Sequence, residues 1–122
     1  MSMSKRDRGC HIVFVDAPEG TTMRAANDAI NEYTADRRRG MAMFHDHFAN
    51  RAGGLIVLAI ETEEQLALLS EPGPLEGWSV RTHPLIFADS ASRFLNQVDF
   101  TLNTYRDRRL TEFLDLPADD DG

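Results

Sequence analysis

The sequence has a single cysteine, Cys10, so no internal disulfide can form. That usage fits a reducing cytoplasm. Lysine is nearly absent too: Lys5 stands alone among 13 basic residues, a bias that GC-rich bacterial codon usage produces. No apolar run approaches the roughly 20 residues that a membrane-spanning helix needs, so no membrane partner is expected. The opening MSMSKRDRGC is charged and lacks the apolar centre of a secretory signal. Basic surface is missing as well. The formal charge is −7, and the one basic run, Arg37-Arg38-Arg39, falls at a helix end, where cations favour the negative pole of the helix dipole. Phosphate binding needs a basic face, so no nucleic-acid partner is expected. There is no Gly-rich phosphate loop, no His-Glu-x-x-His, no serine nucleophile elbow and no Cys–His pair. Nothing in the sequence specifies a cofactor, and none is expected.

The 122 residues, 42% of them hydrophobic, suffice for one domain with a two-layer core. That domain is placed at 10–116, between flexible tails at 1–9 and 117–122. Cys10 to Asp16 is a β-branched and aromatic run, hence a strand. Thr21 or Thr22 caps a helix whose apolar stripe is Met23, Ala26, Ile30 and Tyr33. The basic run and Gly40 end it. Gly40 to Glu61 reads as a β-hairpin with a loop at 49–54. Its second arm, Leu55 to Ile60, is apolar on both faces, which predicts a cover on both sides. Thr62 and Gln65 form a capping box that opens a short helix. Residues 71–77, rich in proline and glycine, forbid regular structure. Trp78 to Ala88 is a last strand, and Pro84 makes it an edge strand or bulges it there. Trp78 itself is expected to anchor the core. Asp89 or Ser90 caps a final helix with the stripe Phe94, Val98, Leu102 and Tyr105, continuing through Leu110 and Phe113.

The order β-α-β-β-α-β plus a helix is the α+β, ferredoxin-like arrangement: a four-stranded antiparallel sheet with helices on one face and an extra C-terminal helix. Its second face needs a cover, and a second copy of the same sheet is the simplest one. A homodimer is therefore expected. In topology and strand texture over roughly residues 10–88 the chain resembles the dimeric α+β barrel superfamily. The stretch GPLEGWSVRTHPL is similar to the loop and last strand of YCII-related members, and antibiotic-biosynthesis monooxygenases are also near in texture. The resemblance implies a small-ligand barrel, with no cofactor-independent isomerase or monooxygenase residue matched one for one.

His45 and His47 are two apart on the first hairpin arm and so share a face. Ile56, Leu58 and Ile60 are bulky and are assigned to the helix side. Phe44 and Phe48 match them in size, which sends Met41, Met43, His45 and His47 to the barrel side, with His83 across from them. Histidine titrates near neutrality, so His45, His47 and His83 are the candidate acid–base residues. Arg81 is placed to hold an anionic substrate group, and Met41 and Met43 to line an adaptable pocket. The same three histidines are the alternative metal ligands, a weaker reading because a His-x-His pair needs a third donor from another strand. The function expected is binding of a small, largely apolar molecule, either with histidine chemistry or as a non-catalytic ligand-binding or structural dimer.

Overall fold

Three helices and four strands follow one another as β1 (Gly9–Asp16), α1 (Met23–Ala35), β2 (Met41–His47), β3 (Gly53–Ile60), α2 (Glu63–Leu68), β4 (Ser79–Pro84) and α3 (Ala91–Asp115). This is a computed structural model that describes residues 7–115, with side chains to residue 104. Residues 1–6 of the first tail, the tail 117–122, the domain's last residue and the side chains of Tyr105, Leu110 and Phe113 lie outside the described residues, while Gly9, placed in the first tail, begins β1 opposite Ile60. All strand pairs are antiparallel, in the order β2-β3-β1-β4. This α+β sheet is consistent with a ferredoxin-like arrangement. No described helix is long and apolar enough to cross a membrane.

The first core lies under α1 and α2. Val13 and Val15 of β1 and Ile56, Leu58 and Ile60 of β3 meet Ile30 and Tyr33 of α1 and Leu75, all at most 2% exposed. Alternation along β3 put those three on the helix side as expected. Trp78 packs on the same cluster, as an anchor. The capping box forms: Thr62 Oγ1 accepts from the Gln65 amide, and Gln65 Oε1 accepts from the amides of Glu61 and Thr62. Thr22 caps α1 by accepting from the Ala25 amide at 3.1 Å. Pro84 ends β4, an edge strand. Pairing to β1 goes one residue further and then bulges: the Leu85 amide donates to Cys10 O and the Cys10 amide to Ala88 O, each at 2.9 Å, with Ile86 and Phe87 passed over between them.

Three local readings change. The basic run is not the last turn of α1, which stops at Ala35; Arg37–Arg39 form a separate 3-10 turn capped by Asp36. The proline-rich stretch holds a 3-10 turn at Gly73–Leu75. Gly53 and Gly54 belong to β3, so the hairpin loop closes at Ala52.

Asp36 carries a pH signature. Hydrogen bonds from the Arg38 side chain, helped by the Arg38 amide and outweighing the effect of burial, lower its carboxyl to about 2. The ordinary value is about 3.9. A depressed carboxyl stabilises the fold above its unfolded pKa and loses that contribution as pH falls through the folded one. Melting temperature should therefore drop from about pH 4 toward pH 2, and Asp36→Asn should flatten that acid limb. An unchanged limb in the variant would remove Asp36 as its source.

Candidate functional site

The histidine pair does not sit where strand alternation predicts. Across β2 and β3, Met41 faces Ala59 and Ala42 faces Leu58, but the next pair is Phe44 with Val57, leaving Met43 as an extra residue. This β-bulge shifts every later residue to the opposite face. Phe44 thus joins Val57 on the second face, 50% exposed, and not the helix side. His45 pairs with Ile56 and His47 with Gly54, which puts both histidines on the helix side. They do share a face, with ring centroids 5.8 Å apart. His45 is exposed, while His47 lines a small cleft with Arg24 and Asn27 at the start of α1. Met41 and Met43 remain on the second face.

Arg81 and His83 lie on that second face too, since they pair with Phe14 and Ile12. The Arg81 guanidinium stands 5.4 Å from the Phe14 ring centre, and the His83 ring meets Phe14 edge-on at 6.2 Å. β2 and β4 are the two outer strands of the sheet. Three strand spacings, roughly 14 Å, separate them. His45 and His47 are therefore kept from His83 and Arg81 by both distance and face. The expected convergence of the three histidines fails within one copy. Among the described residues no group of three metal-ligating side chains comes together.

The second face of the sheet is covered in part by the chain itself. Cys10, Val57, Ala59 and Ala88 form a second buried cluster, with Ile12, Met43, Leu85, Ala91 and Phe94 packed on it. The start of α3 thus crosses the face that a second sheet was expected to close. Cys10 is a packing residue here. Its Sγ points at Ser90 O, 3.5 Å away, and burial, with the negative charge of Asp89, pushes the thiol pKa up. A thiol held protonated is a poor nucleophile.

Beyond that cluster lies an apolar groove of about 400 Å³ between the loop 85–88 and one face of α3. Leu85, Ile86, Phe87 and Ala88 form one wall, and Phe94, Gln97, Val98, Thr101 and Leu102 form the other. The helix residues recur at three- and four-residue steps, so a single stripe faces the loop. Ile86 is 83% exposed and Phe87 66%, because the bulge after Pro84 throws both outward. The stripe Phe94, Val98, Leu102 was visible in the sequence; the wall facing it was not, because nothing in LIFA marks Ile86 and Phe87 as the residues left out of the ladder. Comparison with family models, with curated proteins and with solved structures finds no match.

Proposed function

We propose that the chain binds a small, largely apolar molecule in the groove between the loop 85–88 and α3, without catalysis by its histidines. The observation that carries this is the lining: seven of the side chains named above are apolar, and two of the largest stand in water. Ligand sites are concave, mostly apolar and carry a few polar groups. Covering Ile86 and Phe87 fully would gain about 1.5–3 kcal/mol for each side chain. A non-catalytic role is favoured because the candidate acid–base residues lie on opposite faces and edges of the sheet. N-phenyl-1-naphthylamine, a neutral fluorophore, should bind saturably at one site per chain. Val98→Asp puts a carboxylate in the groove and should abolish the binding while leaving the circular dichroism spectrum unchanged. Equal binding by the variant would refute the site.

A homodimer is the second reading, and exposed apolar side chains favour it. Met41, Phe44, Ile86, Phe87, Leu95, Phe100 and Leu102 are each at least half exposed. Exposed large apolar side chains in such number favour a contact surface where they adjoin, as Ile86, Phe87 and Leu102 do at the groove. Because α3 already occupies the layer about 10 Å above the sheet where a second sheet would stack, such a dimer forms around α3 and not by bare sheet-on-sheet contact. The resemblance to dimeric α+β barrels belongs to this reading, supported by the strand order. Sedimentation equilibrium at micromolar concentration should give twice 13.7 kDa; a monomer alone would contradict it.

A further inference from the structure

The groove's lining also specifies what kind of molecule it takes, an inference that rests on the groove being the binding site. Its two polar side chains are Gln97 and Thr101, four residues apart on α3 and so neighbours on one helix face. Neither side chain bonds to any other described residue. Together they offer an amide oxygen, an amide NH₂ and a hydroxyl, which both donate and accept. Among the described residues no Asp, Glu, Lys, Arg or His lines the groove. Among the described side chains of α3 the one cation, Arg93, is engaged by Asp89 at 3.6 Å. A charged head group brought into this lining would lose water and find no counter-charge among the described side chains, a cost that a neutral group escapes.

We infer that the groove selects a neutral molecule with an apolar body and one hydroxyl or carbonyl group, which Gln97 and Thr101 hydrogen-bond while the body lies along Phe87, Val98 and Leu102. The geometry assigns selection to two side chains that no packing role requires, since both lie outside the two buried clusters.

Calorimetric titration with 1-decanol and with decanoate at neutral pH tests this, with N-phenyl-1-naphthylamine as the reference probe. The wild type should bind 1-decanol at least about tenfold more tightly than decanoate, the factor that one net hydrogen bond of ordinary strength or one unpaired charge produces. The Gln97→Leu, Thr101→Val double variant should lose about tenfold for 1-decanol and keep its affinity for the fluorophore, which shows that its groove is intact. Equal affinity of the wild type for alcohol and carboxylate overturns the inference while the groove remains a site. Full 1-decanol affinity in the double variant overturns the role of the pair. Failure of all three probes to bind the wild type overturns the groove reading itself.

Discussion

Arg39→Ala should lower the stability of the protein by about 3 kcal/mol, the loss of hydrogen bonds from a charged donor together with the packing of its buried side chain. Arg39 is 3% exposed although it ends a run of three arginines. Its Nη1 donates to Leu68 O at 2.8 Å and to Glu71 O at 2.6 Å, tying the end of α2 to the turn after α1. The guanidinium carbon lies 4.3 Å above the Tyr33 ring centre. Its Nε is 3.5 Å from Asp36 Oδ2, an ion pair without hydrogen-bond geometry. Alanine would remove the donor shared by Leu68 O, which keeps the Glu71 amide, and Glu71 O, and would leave a void over Tyr33. Lysine should restore only part of the loss, because an ammonium lacks the planar fork and stacks poorly on a ring. Thermal unfolding is the measurement, and a fall of roughly 10 °C or more is expected for alanine. Wild-type melting of Arg39→Ala would show that the clamp contributes nothing.

Gly54→Ala should cost about 1–3 kcal/mol, the range for forcing extra volume into a packed interior. A Cβ at Gly54 would collide with the carbonyl oxygen of Asp46 and come within 3.2 Å of Ile30 Cδ1. The first contact is backbone of β2 and the second is a fully buried core side chain, so neither yields easily. The hardest collision is with the backbone of β2. Amide exchange should therefore quicken most at Phe44 to His47 and least where β1 pairs with β4. Uniform exchange with an unchanged melting temperature would contradict the close approach.

What the sequence made legible followed from regular periodicity. The two-residue period placed Ile56, Leu58 and Ile60 under the helices, and the 3.6-residue period found Ala26, Ile30 and Tyr33. The Thr62–Gln65 box and the break at Pro84 were legible because their side chains act on the local backbone. Irregularities were not. The bulge at Met43 carries no glycine or proline to announce it, yet one extra residue carried His45 and His47 to the other side of the sheet. Of the expected second-face set, Met41, Met43, Arg81 and His83 are there and the two histidines of β2 are not. Arg39 was hidden for another reason: three identical side chains in a row give no sign of which turns inward. The expectation that a second copy covers the sheet overlooked Ala88, Ala91 and Phe94, small and aromatic residues that let α3 settle on Cys10 and Ala59.

Amide chemical-shift mapping during titration with N-phenyl-1-naphthylamine shows residue by residue whether the groove beside α3 is where this chain meets a small apolar molecule. Saturable shifts are expected at Leu85 to Ala88 and Phe94 to Leu102, with Met41 to His47 of β2 and the start of α1 unmoved. Shifts centred instead on His45 and His47, or on Arg81 and His83, would contradict that expectation.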